Sequence, residues 1–240
     1  MSIQTTFKRY ELKYLLTVSQ YQKLCSLMEE YMTLDEFGKN TINNIYFDTP
    51  DYLLIRRSLE KPCYKEKLRV RTYGTYSEEK TAFVEMKKKY HGVVYKRRLP
   101  LSQQEAFDFL LKDCPLQHET QITKELTYFM HYYHDLQPAV ALFYEREAFY
   151  GSIDHDFRMT FDHNIRINLN SASFHEDDSS KLVIPKDSIL LEVKTSRGLP
   201  SWLLSFFSSE HIYKTSFSKY GTAYKKYILP QQQGGKSYVA

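Results

Sequence analysis

The chain is short of the residues on which several large function classes depend. Its 240 residues include only 8 glycines, and none sits in a glycine-rich turn ahead of a helix, which excludes the P-loop and dinucleotide-binding designs. Three cysteines, Cys25, Cys63 and Cys114, form an odd and widely spaced set with no CxxC pair and no histidine at ligand spacing. Neither a disulfide framework nor a zinc site is indicated. Cys63 follows Pro62 without a partner-histidine motif, which sets a catalytic thiol aside. No run approaches the roughly 18 apolar residues of a membrane span, and Met1 to Arg9 lacks the apolar centre of a secretory leader. A cytoplasmic location with free thiols is the expectation.

What the chain does have is aromatic residues, 21 tyrosines and 15 phenylalanines, within a composition that is 42% hydrophobic and 26% charged, as in folded globular proteins. Period-2 alternation with β-branched and aromatic enrichment predicts strands over residues 7–16, 41–47, 67–73, 82–88, 93–99, 139–149, 157–169 and 189–195. Helical periodicity and start signals predict helices over 19–34, 50–59, 102–112, 120–134, 200–208 and 216–228. Ser102 followed by Glu105 is a capping box, and Thr49-Pro50 reads as an N-cap followed by proline. Strands and helices mixed without βαβ regularity indicate an α+β fold with a largely antiparallel sheet. Residues 171–180 read as a mobile acidic loop and 231–240 as a disordered tail, and no linker divides the rest, so 1–230 is expected to be a single domain.

Side chains alternate across a strand, so parity sorts each strand into two faces. One face carries Arg9, Glu11 and Lys13; Lys67, Arg69 and Arg71; Glu85 and Lys87; Lys96 and Arg98; Arg146; Arg158, Asp162 and Arg166; Glu192 and Lys194. The other carries Leu12, Leu68, Val70, Val84, Met86, Met159, Phe161, Leu191 and Val193. The charged faces hold twelve cations against four anions, a surplus larger than the formal +4 of the whole chain. An apolar face on the core and a charged face in water is ordinary for antiparallel sheets, but a solvated face usually interleaves both signs. If the sheet closes and turns these faces inward, with helices covering the apolar exterior, the lumen must hold water, anions or metal, because a dozen unpaired ions out of water would exceed the roughly 5–15 kcal/mol of net stability a domain possesses. A cationic channel with a few carboxylates suits a polyphosphate chain and a divalent ion.

The segments 7–14 (FKRYELKY), 45–49 (IYFDT), 67–74 (KLRVRTYG), 84–87 (VEMK), 95–101 (YKRRLPL), 143–149 (FYEREAF), 190–194 (LLEVK) and 216–220 (SFSKY) resemble, in order, the VTC domain. This is the polyphosphate polymerase domain of the triphosphate tunnel metalloenzyme superfamily. The resemblance implies a closed antiparallel β-barrel tunnel of about eight strands with helices packed outside. It also implies transfer of the ATP γ-phosphoryl group to a polyphosphate chain with a divalent Mn or Mg ion. By motif position it implies that Lys13, Arg69, Arg71, Lys87, Lys96, Arg146 and Arg158 bind phosphate, that Glu192 binds the metal, and that Lys219 is a late basic residue. Parity adds Arg9, Lys67, Arg98 and Lys194 as phosphate contacts, and Glu85 and Glu11 as further metal ligands. Where the wider superfamily opens with ExExK, this chain has Arg9 in the first acidic place and keeps only Glu11 and Lys13, which fits the polymerase branch better than the hydrolase or cyclase branches.

Two other activities share the same cations. Water in place of the acceptor phosphate gives a tripolyphosphatase or nucleoside triphosphatase, and a polyphosphate or inositol phosphate sensor keeps the cations without needing Glu192. Nucleic acid is disfavoured because most aromatics lie on the face opposite the cations, Tyr73 and Tyr144 excepted. His131 and His134 lie i,i+3 on a helix without a third ligand and read as a surface pair. Coupling to export would require a separate membrane protein.

Overall fold

A computed structural model of the protein describes residues 10–75, 77, 79–91, 93–116, 119–169 and 173–234. Arg9 therefore lies outside the described residues, as do part of the expected 171–180 loop and 235–240 of the expected tail. In chain order the elements are β1 (Tyr10–Thr17), α1 (Val18–Met28), β2 (Met32–Asp48), α2 (Leu53–Leu59), β3 (Tyr64–Tyr73), β4 (Ala82–Tyr90), β5 (Val93–Leu101), α3 (Gln103–Lys112) and α4 (Gln121–Tyr132). They continue with β6 (Gln137–Gly151), β7 (Arg158–Asn168), β8 (Lys181–Leu182), β9 (Ser188–Thr195), α5 (Ser201–Ser209), α6 (Lys219–Ala223), a π-helical turn (Tyr224–Ile228) and α7 (Leu229–Gly234). Residues 231–234 thus continue the last helix rather than open a tail.

The strands hydrogen-bond in the order β1-β9-β7-β6-β2-β3-β4-β5, with β8 on β7, and the registered pairs are antiparallel. The α+β class stands, but the expected closure does not. Among the described residues the ladder ends at β1 and at β5 and does not return on itself. The physical reason is visible at both ends. Thr215 donates its backbone N–H to the Lys13 carbonyl at 2.8 Å, so a segment outside the strands occupies the free edge of β1. β5 carries Pro100, which has no N–H to offer a further strand, together with Lys96, Arg97 and Arg98, the residues that mark edge strands.

The chain condenses into two compact units. The first comprises the segments up to Thr41, Tyr144–Ile165 and Ile184–Phe217; the second comprises Ile42–Phe143, Arg166–Val183 and the segment from Ser218 on. In the first, Leu24 and Met28 of α1 and Leu203 and Phe207 of α5 cover Tyr14, Met159, Phe161, Leu191 and Val193. In the second, Ala106, Phe109 and Leu110 of α3 and Leu126 and Phe129 of α4 cover Leu68, Val70, Val84 and Met86. Each unit therefore lays these helices on the apolar face that parity selected, leaving the charged face opposite. A fully buried Leu or Met in such a core contributes roughly 1.5–3 kcal/mol of transfer free energy.

Two helix boundaries differ from expectation for identifiable reasons. Helix α1 opens one residue early, on a Thr17 capping box with Gln20, and stops at Met28 rather than Leu34. Met32 is claimed by the apolar core as the first residue of the 17-residue β2, and the Tyr31 carbonyl accepts the Ser152 N–H at 2.9 Å. Helix α2 starts at Leu53 instead of Pro50 because its orphan N–H groups are satisfied from outside the helix. The buried Asp48 carboxylate accepts the N–H groups of Thr49, Leu54 and Ile55 at 2.9, 2.8 and 3.0 Å, and the Tyr220 hydroxyl at 3.0 Å. The IYFDT and SFSKY motifs are thus joined through Asp48 and Tyr220. Gly221 follows because a Cβ there would meet Leu59 Cδ2 at 3.0 Å.

Candidate functional site

Each unit gathers charge on the face away from those core-covering helices. In the second unit the register places Tyr46, Arg69, Glu85 and Arg98 in one row across β2, β3, β4 and β5, flanked on one side by the row of Lys67, Lys87 and Lys96 and on the other by the row of Asn44 and Arg71. Glu85, whose side chain is 2% exposed, is the hub. One of its oxygens meets Lys96 Nζ at 2.6 Å and Arg98 Nε at 2.8 Å; the other meets Arg69 Nε at 2.8 Å, with Arg71 Nε at 3.9 Å. Burial pushes the Glu85 carboxyl pKa up, but Arg69, Arg71 and Lys96 outweigh it and hold the group well below the usual carboxylate range. Four cations share one anion, and the outer ends of Lys96 and Arg98 remain 45% and 39% exposed.

Aromatic and amide groups hold these guanidinium planes. Arg98 lies 4.2 Å over the Phe83 ring and bonds the Tyr73 hydroxyl, Arg69 bonds the Tyr46 hydroxyl at 3.1 Å, and Arg71 donates to Asn44 Oδ1 at 2.8 Å. Asn44 is itself fixed by donating to the Leu142 carbonyl at 3.1 Å. Lys67 donates to Ser218 Oγ, the N-cap of α6, at 3.0 Å, and Lys219 is buried as the first residue of that helix. Lys87 is exposed between its register partners Lys67 and Lys96.

In the first unit the balance is reversed. Arg146 makes a two-pronged bond to Asp162, at 2.6 and 2.7 Å, and reaches Glu192 at 3.1 Å; Lys13 lies 3.3 Å from both Glu192 and Glu11 and donates to the Phe217 carbonyl at 3.2 Å. Burial opposes the Arg146 charge, but Asp162, Tyr144 and Glu192 raise its pKa well above the ordinary value. Three carboxylates and two cations alternate along this chain. Arg158, exposed at the start of β7, pairs in register with Lys194, and Lys194 with Glu11.

The parity reading thus located the charged faces but missed Asp162 as a site residue and missed Asn44 and Tyr46 altogether. The signal for the last two was present: Asn44, Tyr46 and Asp48 alternate with Ile45 and Phe47. Burial raises the Tyr46 hydroxyl, yet Arg69, Lys67 and Arg71 outweigh it and bring the pKa down to about 8. Burial, Arg69 and Arg98 pull Lys96 down to about 8 against the opposing effect of Glu85. Both groups become less positive or more negative as pH rises through that value. Triphosphate affinity, followed by calorimetry, is therefore expected to fall through this range, with the fall displaced to higher pH in Lys96→Arg and flattened further when Tyr46→Phe is added. An affinity independent of pH here would remove both residues from the site.

Of the expected metal ligands, Glu11 and Glu192 lie in the first unit and Glu85 in the second. Among the described residues no three Asp, Glu, His or Cys side chains are placed to hold an ion. Both Glu85 oxygens are occupied by cations that would repel another, and Glu11 and Glu192 meet on the Lys13 ammonium.

The VTC domain family matches residues 8–228 of the chain. A protein named as a candidate adenylate cyclase from Bacillus halodurans has a similar solved structure, with a TM-score of 0.54 and 15% identity over 91% of this chain and 96% of that one. A protein similarly named from Vibrio parahaemolyticus gives a TM-score of 0.48 and 12% identity over 91% and 98%. No curated protein sequence matches the chain. Among the described residues no helix is long and apolar enough to cross a membrane.

Proposed function

Since the chain belongs to the VTC domain family, we propose that it transfers the γ-phosphoryl group of ATP to an inorganic polyphosphate chain in the cytoplasm, with residues 1–230 acting as one functional module. The observation that carries this reading is the cluster around Glu85, where Arg69, Arg71, Lys96 and Arg98 share a single carboxylate and keep a net positive charge on a partly exposed face. Guanidinium forks suit bidentate contact with non-bridging phosphate oxygens. Phosphoryl transfer asks chiefly for in-line positioning and neutralisation of charge, which fixed cations supply. In this reading Lys67 and Lys87 extend the phosphate contacts by one register row. Lys13, Arg146 and Arg158 keep the phosphate-contact roles that the family resemblance implies, Lys194 the contact that parity assigns, and Lys219 serves as the late basic residue on the acceptor chain. The ionised terminal phosphate of the acceptor is the nucleophile and needs no general base. The divalent Mn or Mg ion enters as part of the metal–triphosphate substrate.

That no three Asp, Glu, His or Cys side chains among the described residues are grouped to hold an ion favours a second reading, a sensor that binds a phosphate polyanion without turning it over. Incubating the purified protein with ATP, Mn or Mg and a short polyphosphate primer, and resolving the products on a gel, separates the possibilities. Lengthened primer is the expected result. ADP and orthophosphate without lengthening would make the protein a triphosphatase, and triphosphate binding without any product would make it a sensor.

A further inference from the structure

The hairpin end of the second unit carries a feature that the phosphate site does not use. Tyr64, Tyr90 and Val93 occupy one cross-strand row of β3, β4 and β5, with Tyr95 on the same face two residues along. All four are between 43% and 51% exposed. The patch continues onto α4. The Tyr64 and Tyr133 hydroxyls both donate to the buried Glu66 carboxylate, Tyr132 packs on Tyr133 at 4.9 Å, and Tyr128 stacks on Tyr132 at 6.1 Å. Tyr128 and Tyr132 are themselves exposed. A contiguous run of exposed rings of this kind marks an interaction surface rather than scattered surface residues. On the opposite face of the same strand ends Lys65 and Lys89 stand directly across from each other, and Lys61 lies in the preceding turn. Like charges facing each other across a ladder are destabilising unless an anion compensates. Consistent with this, burial and the charges of Lys89, Lys87 and Lys61 lower the Lys65 pKa.

We propose that this tyrosine-rich hairpin end docks on an anionic lipid bilayer surface, its rings entering the headgroup zone while Lys61, Lys65 and Lys89 meet the lipid phosphates. Tyrosine has an apolar body and a polar tip, the combination found at membrane–water interfaces, and flanking lysines supply attraction to anionic lipid. Rings and lysines lie on opposite faces of the hairpin, so an occupant must touch both faces. An interfacial zone that surrounds the tip does so. A single strand of nucleic acid needs its stacking rings and cations on one face. The proposal does not depend on the phosphoryl-transfer reading.

The test is co-sedimentation of the full chain with vesicles of phosphatidylcholine alone and of phosphatidylcholine containing about one third phosphatidylserine. Binding to the mixed vesicles only is expected, undiminished by saturating triphosphate. Both Lys89→Glu and the triple variant Tyr90→Ser/Val93→Ser/Tyr95→Ser are expected to weaken binding at least about tenfold while keeping triphosphate affinity. Failure to sediment with mixed vesicles overturns the proposal. So does equal binding to neutral vesicles, and so do variants that sediment like the parent or release by triphosphate, because the cations around Glu85 would then be holding the lipid.

Discussion

Replacing Glu85 with glutamine is expected to lower the melting temperature on the order of 10 °C in anion-free buffer while tightening triphosphate binding. The two effects have one cause. Glu85 is the anion through which Arg69, Arg71, Lys96 and Arg98 are brought together; a neutral amide leaves them repelling one another beside a core. Breaking a buried ion pair costs about 3–5 kcal/mol, and a chain of this length loses a few degrees per kcal/mol. An added polyanion then restores what the carboxylate supplied. At a concentration of about 100 times its dissociation constant a ligand stabilises by roughly 2.7 kcal/mol, so triphosphate is expected to close most of the gap. The pH dependence has a definite sign. Because the folded carboxyl pKa is depressed, its stabilisation is complete above the ordinary carboxylate value and is lost in acid below about pH 4. The variant is expected to lack this acid limb. If Glu85→Gln melts like the parent and binds triphosphate no more tightly, the carboxylate is not the resident counter-ion of the cluster.

The second large effect concerns Arg146. Asp162 is fully buried and receives both prongs of this guanidinium, and Glu192 receives a third bond. Arg146→Ala removes the two-pronged partner of the buried Asp162 and one of the two cations on Glu192, at an expected cost of about 3–5 kcal/mol. Arg146→Lys recovers little of it, since an ammonium cannot supply two parallel bonds and reach Glu192 as well. Removing the buried charge recovers more, so Arg146→Ala combined with Asp162→Asn is expected to melt above Arg146→Ala alone. Chemical denaturation of the four members of this cycle measures the coupling. Strict additivity would mean that the pair contributes no interaction energy of its own.

Much of this chemistry was legible along the strands and little of it between them. Alternation over residues 67–71, 84–87 and 190–194 assigns faces because a one-residue slip would turn Val70 or Met86 out of the core, where both are fully buried. The partner of a charged residue is a different matter. It depends on which strands are neighbours and in what register, and nothing local to Glu85 announces that Arg69 and Arg98 flank it. Glu85 and Glu192 read as metal ligands along the chain, whereas the ion pairs they make, with Arg69, Lys96 and Arg98 and with Lys13 and Arg146, have no local signal. The end of α1 was hidden for a similar reason, since Tyr31 and Met32 continue a helical period but are drawn into β2 by tertiary packing. Closure of the sheet has no local signal beyond Pro100, which lies just past the strand expected over 93–99 and falls inside the observed β5.

The bond between Asp48 and Tyr220 has a consequence for how the protein is made. It joins positions 172 residues apart, and it does so in a unit assembled from an early, a middle and a late stretch of the chain. A ribosome delivers those stretches in order, and loop-closure entropy must be met before so distant a contact returns anything. Helix α2, whose first turn rests on Asp48, gains its second anchor only after Tyr220 has emerged. The nascent chain therefore carries an incomplete second unit, with charged strands and apolar helix faces both uncommitted, until Tyr220 has emerged. That is the interval in which chaperones and premature pairing compete for it.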